Sequence, residues 1–130
     1  MKVLALDYGR ARTGVAVSDP TGTIARPLCV VELAGSESGL ARIAELIREH
    51  DAERVVVGLP LTLRGEHGEQ ARETETFVAA LSSLTSVPLV TFDERFTTDL
   101  AELTPAEAPE DARAAAHLLS SYLSWASSAA

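Results

Sequence analysis

The chain has 130 residues, of which 46% are hydrophobic and 23% charged, a composition typical of one globular domain. Its 19 acidic and 11 basic residues give a net charge of −8, which argues against non-specific coating of nucleic acid, although a local group of arginines could still attract phosphates. No apolar run reaches the roughly 20 residues of a membrane span, no signal-peptide pattern is present, and the lone Cys29 excludes an internal disulfide. These features predict a single cytoplasmic domain over residues 1–130, with no membrane partner.

The first three predicted elements are strands joined by short turns. The apolar run Val3–Leu6 has the length and composition of a buried strand, and it ends on Asp7. A second run, Thr13–Val17, carries the chain back, and Thr23–Leu33 follows as a third strand. Pro27 interrupts this third strand, which predicts an edge position because proline cannot donate a hydrogen bond to the ladder. The order predicts an antiparallel meander.

Strands and helices alternate in the rest of the chain. Gly35–Ser38 is predicted to be a polar loop, and the apolar residues Leu40, Ile43 and Ile47 then recur at helical spacing. The later predicted elements are a strand at Val55–Val57 ended by Gly58, a helix over Glu69–Leu84, a strand over Pro88–Phe92 and a helix from Glu110 to about Ala126. The order β-β-β-α-β-α-β-α predicts an α/β fold, a mixed five-stranded sheet with helices on both faces.

Three acidic residues lie at the ends of strands and at the start of a helix, positions that this fold would bring together. Asp7 ends the first strand, Glu94 follows the fifth, and Asp111 opens the last helix. Ligands gather at strand carboxyl ends in such sheets, and three converging carboxylates repel one another unless a divalent cation joins them. Mg²⁺ and Mn²⁺ prefer oxygen ligands, and a two-ion site suits phosphodiester hydrolysis. From position alone, Asp111 could equally favour the helix dipole, and Glu94 could pair with an arginine.

Four segments resemble, in order, the motifs of the YqgF/RuvX family, and together they span almost the whole chain. They are Leu6–Asp19 (LDYGRARTGVAVSD), Val55–Leu61 (VVVGLPL), Phe92–Thr98 (FDERFTT) and Asp111–Leu123 (DARAAAHLLSSYL). The family is similar to Holliday junction resolvases, has an RNase H-like fold and is implicated in trimming the precursor of 16S ribosomal RNA. The resemblance implies a metal-dependent nuclease in which Asp7, Glu94 and Asp111 hold two Mg²⁺ or Mn²⁺ ions.

Five side chains near these motifs are candidates for guiding the nucleic-acid backbone: Arg10, Arg12, Arg64, Arg95 and Thr97. The arginines are predicted to bind phosphate because the guanidinium fork matches its oxygens. Arg95 could instead pair with Glu94 or Asp93, and Thr97 could cap a short helix. Arg64 stands where relatives usually have an acid, which favours a phosphate contact.

The segment between Thr98 and Asp111 also departs from the family pattern. It is short and carries Glu102, Glu107 and Glu110 but no Lys or Arg. We therefore hypothesise that affinity for nucleic acid depends on metal-bridged phosphates, so that binding falls sharply when the metal is chelated. Tight binding in the presence of a chelator would contradict this hypothesis.

The histidines and the aromatic residues of the last helix are not expected to take part in the site. His50, His67 and His117 share no ligand spacing. His117 follows Asp111 by six residues, which places it roughly on the opposite side of a helix. Tyr122 and Trp125 are predicted to be packing residues.

The predicted partner is nucleic acid, either precursor ribosomal RNA or branched or single-stranded DNA, and a homodimer is left open. One alternative function is a Holliday junction resolvase. A second is a phosphate-binding, ATPase-like domain, because Asp7-x-Gly9 before a hairpin also opens actin-like folds, although these need a second, similar domain that 130 residues cannot supply. A third is a non-catalytic binding module in RNA processing or transcription, which would have no need of the three acids.

Overall fold

The fold is seen in a computed structural model that describes residues 1–62, 64–96 and 108–129. The elements are strands β1 (Val3–Asp7), β2 (Arg12–Ser18), β3 (Ala25–Glu32), β4 (Arg54–Leu59) and β5 (Leu89–Asp93), helices α1 (Glu37–Glu49), α2 (Glu69–Ser82) and α3 (Glu110–Ala129), and a 3₁₀ turn (Glu94–Phe96) after β5. Their order confirms the predicted β-β-β-α-β-α-β-α arrangement. Within the described ranges, no helix has the length and apolar content needed to span a bilayer.

The strands form one mixed sheet in the order β3-β2-β1-β4-β5. Strand β2 pairs antiparallel with β1 and β3, whereas β4 pairs parallel with β1 and β5. The edge position predicted from Pro27 is confirmed, because β3 closes one side of the sheet. Val15 lies opposite Cys29 and Ala16 opposite Pro27, so Leu28 is an extra residue that forms a bulge beside the proline.

The alternation of side chains in β1 gives each face of the sheet its own apolar core. Leu4 and Leu6 pack with residues of α1 and α2 on one face, and Val3 and Ala5 pack with α3 on the other. All four are at most 3% exposed, and full burial of a Leu or Val side chain stabilises a fold by about 1.5–3 kcal/mol. Helices therefore cover both faces, as predicted.

Several predicted boundaries differ from the observed ones by a few residues, and two of these differences have a clear local cause. Helix α1 begins at Glu37, inside the predicted loop, because the Ser36 side chain accepts a hydrogen bond from the Gly39 amide at 3.1 Å and caps the helix. Strand β4 does not end before Gly58 but continues to Leu59, because its parallel pairing with β5 extends to this end of the sheet.

Candidate active site

The site begins with two carboxyl groups at the carboxyl edge of the parallel strands. Asp7 is the last residue of β1, and Glu94 directly follows β5. These two side chains, the acid pair, are half-buried and hydrogen-bonded to each other. Such a bond requires a proton on one carboxyl group, and the electrostatics assign it to Glu94.

The pKa values of the acid pair reflect burial and like charge. Burial raises the pKa of Glu94 from 4.5 to about 7, and the charge of Asp7 and its hydrogen bond add to this effect. Burial also raises the pKa of Asp7, with a contribution from the charge of Asp111, although the hydrogen bond from Glu94 opposes the shift. Burial and like charge therefore favour a protonated carboxyl group at Glu94.

Gly58 lets Glu94 lie against the neighbouring strand β4. A Cβ atom at Gly58 would stand 2.6 Å from Glu94 Oε1, closer than real contacts allow. The glycine of the motif GLPL thus leaves room for a carboxyl group that reaches back across the sheet towards β1. A larger side chain would push Glu94 away from Asp7.

Asp111 reaches the same edge from the first turn of α3. A Cβ atom at Gly14 would lie only 1.7 Å from the Asp111 carbonyl oxygen, and Gly14 is the cross-strand partner of Asp7. The absence of a side chain on Gly14 therefore brings the start of α3 beside the end of β1. The Asp111 carboxylate accepts a hydrogen bond from Arg12 Nε at 3.0 Å.

The three predicted acids are neighbours, but they do not form a ready-made metal cage. Within residues 1–62, 64–96 and 108–129, no group of three His, Cys, Asp or Glu side chains is arranged to hold a metal ion. The acid pair nevertheless fits a divalent ion, because its all-oxygen donors share a proton that a cation could replace. Asp111 is near enough to raise the pKa of Asp7, yet it bonds Arg12 instead.

Three of the predicted phosphate-binding arginines bond acidic side chains. Arg10 pairs with Glu73 of α2, Arg12 pairs with Asp111, and Arg95 bonds Asp93 through Nε at 2.9 Å. The Arg95 alternative foreseen from the sequence, an ion pair with Asp93, is therefore present. Arg64 is exposed in the loop before α2, and Thr97 lies outside the described residues.

A cleft of about 560 Å³ opens beside the acid pair. Asp7 and Glu94 line one wall, and the first turns of α2 form the other. The α2 residues in this wall are Glu69, Gln70, Glu73 and Thr74. The sequence analysis did not identify them as site residues, although their i, i+1, i+4, i+5 spacing places them on one side of a helix that begins at the correct edge.

His117 is also closer to the site than its spacing predicts. It lines a smaller cavity of about 240 Å³ together with Asp7, Glu94 and Ala114. The expectation that it lies away from the site is wrong, because Ala114 and His117, three residues apart on α3, both line this cavity beside the acid pair. Tyr122, by contrast, is a packing residue as predicted, with its ring edge-on to Phe92.

The architecture is an RNase H-like fold, which solved Holliday junction resolvases share. Thermus thermophilus RuvC, solved in complex with a Holliday junction substrate, aligns with a TM-score of 0.69 over 98% of this chain and 96% of that chain at 19% identity. The fowlpox virus Holliday junction resolvase aligns with a TM-score of 0.56 over 96% of this chain and 99% of that chain at 11% identity. At these identities the alignments establish the fold.

The sequence itself defines the family. Residues 1–125 match the profile described as RuvX: Holliday junction resolvase. A candidate pre-16S rRNA nuclease of Chloroflexus aggregans is 48% identical over 77% of this chain and 70% of its own length, and one of Syntrophomonas wolfei is 35% identical over 95% and 94%. The chain belongs to the RuvX family. It is a hydrolase that acts on the phosphodiester bonds of nucleic acids.

Proposed function

We propose that this chain is a divalent-metal-dependent nuclease that processes the 5′ end of the 16S ribosomal RNA precursor in the cytoplasm. The observation that carries the proposal is the acid pair: two half-buried carboxyl groups are hydrogen-bonded to each other at the carboxyl edge of the sheet. A purely structural role would not require two acids with raised pKa values in a cleft. The relatives named as candidate pre-16S rRNA nucleases point to the substrate.

Asp7 and Glu94 would hold the first ion, and Asp111 would complete a second site. Bound Mg²⁺ or Mn²⁺ would polarise the phosphate and lower the pKa of the attacking water. The protein's own carboxyl groups control when the ion can bind. The acid pair has to lose its shared proton before it binds a cation, so the free enzyme should bind metal more tightly as the pH rises through about 7, the pKa of Glu94.

Arg10, Arg12, Arg64, Arg95 and Thr97 remain the proposed contacts to the nucleic-acid backbone. Three of these arginines are paired with carboxylates, so phosphate would have to displace those acids. Exposed ion pairs contribute little to stability, which makes such an exchange feasible. Arg64, which is exposed and forms no ion pair within the described part of the chain, could bind phosphate directly.

The function is tested by a cleavage panel in Mn²⁺, with Asp7→Asn as the inactive control. The substrates are a precursor 16S fragment, single-stranded RNA, single-stranded DNA and a four-way junction. We expect cleavage of the precursor near the mature 5′ end by the wild type alone. Equal cleavage by Asp7→Asn and the wild type would show that the proposed site does not catalyse the reaction. No cleavage of any substrate by the wild type would favour a non-catalytic binding module.

A branched-DNA resolvase is the second candidate. The family description and the fold shared with RuvC bound to a Holliday junction favour it. Resolution needs two cuts on opposed strands, so this function would require a homodimer. Preferential cutting of the four-way junction, together with a dimer in sedimentation analysis, would show that the substrate is branched DNA and not precursor RNA.

A further inference from the structure

We propose that Arg12 is a positioning residue that withholds Asp111 from the second metal site until a substrate phosphate takes its place. This inference rests on the proposed function and deepens it. In this inference, the ion pair between Arg12 and Asp111 couples the binding of nucleic acid to the completion of the metal centre. Arg12 would act through Asp111 and would not itself touch the reacting atoms.

The first observation is that Asp111 does not line the cavities that the other two acids line. Both cavities beside the acid pair are lined by Asp7 and Glu94, but neither is lined by Asp111. No group of three potential ligands in the described ranges can hold a metal ion. The third acid therefore has to move, or be released, before it can serve as a ligand.

The second observation is the contact that holds Asp111. Arg12 Nε lies 3.0 Å from Asp111 Oδ2, and the two side chains are 65% and 39% exposed. An exposed ion pair of this kind is weak and can exchange its partner. A guanidinium group binds a phosphate through two parallel hydrogen bonds, so a phosphodiester is a strong competitor for Arg12.

The third observation is that both partners are anchored where the exchange has to occur. Arg12 is the first residue of β2, directly after the turn that follows Asp7. The packing of Gly14 against the Asp111 carbonyl holds the α3 backbone at this edge. Only the Asp111 side chain would need to turn towards the acid pair, and the removal of a neighbouring positive charge would favour a second cation.

Arg10 offers a matched control in the same turn. It is 77% exposed and pairs with Glu73 of α2, a residue that is not a proposed metal ligand. Replacing Arg10 removes an equal positive charge close to the site but releases a different acid. The two arginines therefore separate the effect of releasing Asp111 from a general change of charge.

The test is a Mn²⁺ titration without nucleic acid, in which the free ion is followed by electron paramagnetic resonance. We expect the wild type to bind one ion tightly. Arg12→Gln should bind a second ion at least about tenfold more tightly than the wild type binds its second ion, because coupling between two sites typically has this size. Arg10→Gln should resemble the wild type. Arg12→Lys, which keeps the charge, should lie between the wild type and Arg12→Gln.

The double variant Arg12→Gln/Asp111→Asn should lose the gained site, which ties the effect to Asp111. If Arg12→Gln binds Mn²⁺ with wild-type stoichiometry and affinity, or more weakly, the inference is overturned while the nuclease proposal stands. If the wild type and Arg12→Gln bind no Mn²⁺ at all, both are overturned. In cleavage assays, the Mn²⁺ requirement of the wild type should fall as RNA concentration rises, whereas that of Arg12→Gln should not.

Discussion

The two sides of the site differ in how their acids are neutralised. On the sheet side, Asp7 and Glu94 are half-buried and hydrogen-bonded to each other, and burial and like charge raise the pKa of both. On the helix side, Asp111 already bonds Arg12. Under the proposed function, the sheet side would bind a cation that the protein does not supply, whereas the helix side contains its own replaceable cation, Arg12.

This difference suggests a division of labour between the two sides. The acid pair would define where the first ion binds, because the surrounding sheet fixes both side chains. Asp111 would define when the site is complete, because its partner can be exchanged. Experiments that change one side and leave the other intact should separate these two roles.

The largest expected effect follows from Asp7→Asn. The amide keeps the shape of the side chain but removes the negative charge of a proposed ligand, so cleavage should fall at least about a thousandfold, or about 4 kcal/mol of activation free energy. Single-turnover cleavage measures the loss, and circular dichroism checks the fold. A rate within tenfold of the wild type would show that the acid pair is not the centre of the chemistry.

The next effect concerns the attachment of the helix side to the sheet. Gly14→Ala places a methyl group onto the Asp111 carbonyl, so we expect a loss of about 3 kcal/mol in the free energy of unfolding, measured with urea. Gly68→Ala is the control, because its nearest neighbour would be Thr62 Cγ2 at an ordinary 3.6 Å. As Gly68 is the N-cap of α2, this control should cost only about 0.5 kcal/mol. Equal losses would contradict the close packing of α3 on β2.

A smaller effect should appear in the pH dependence of stability. Because the folded-state pKa of Glu94 is raised from 4.5 to about 7, its protonated form favours folding below about pH 4.5, and this contribution is lost as the pH rises through 7. Without metal, Glu94→Gln should therefore be more stable than the wild type at pH 8, by about 1–2 kcal/mol after solvent screening is allowed for, and nearly equal to it at pH 4.

Thermal unfolding from pH 4 to 8 measures this trend, with Glu66→Gln on the exposed loop before α2 as the control for loss of one charge. Added Mn²⁺ should raise the stability of the wild type at pH 8 but leave that of Glu94→Gln unchanged. A wild type that stays less stable than the variant at pH 4 would contradict the sign of the shift.

The smallest effect comes from an acid with the opposite behaviour, in the turn between β2 and β3. The Asp19 carboxylate accepts hydrogen bonds from the backbone amides of Ile24 and Thr23, both at 2.8 Å, and these lower its pKa, with the Ile24 bond contributing most. Asp19→Ala should lower the melting temperature slightly at pH 7, and this difference should shrink as the pH falls below the ordinary value of 3.8. A difference that grows in acid would contradict this account.

Much of the fold could be predicted because local patterns and tertiary structure agree. The apolar runs that became β1 and β4 are central strands buried on both faces, and Pro27 correctly indicated an edge. The start of α1 was missed because Ser36 and Ser38 are typical of both loops and helix caps. Whether residues 1–130 act as a single domain stays a prediction.

The candidate site was predicted less completely, because its contacts are long-range. The position of Asp7 and Glu94 follows from strand order, but the ion pair between Arg12 and Asp111 joins residues 99 positions apart. No local pattern specifies such a pair. His117 was missed for a related reason, since only the packing of α3 on the sheet shows which row of the helix faces the acids.

The most direct test of the central claim is the binding of Mn²⁺ to the acid pair in the absence of nucleic acid. At pH 8, titration of the wild type followed by electron paramagnetic resonance should show one tightly bound ion. Asp7→Asn and Glu94→Gln should each lose that ion, whereas Glu66→Gln should keep it. Binding by Asp7→Asn that equals binding by the wild type would contradict the account.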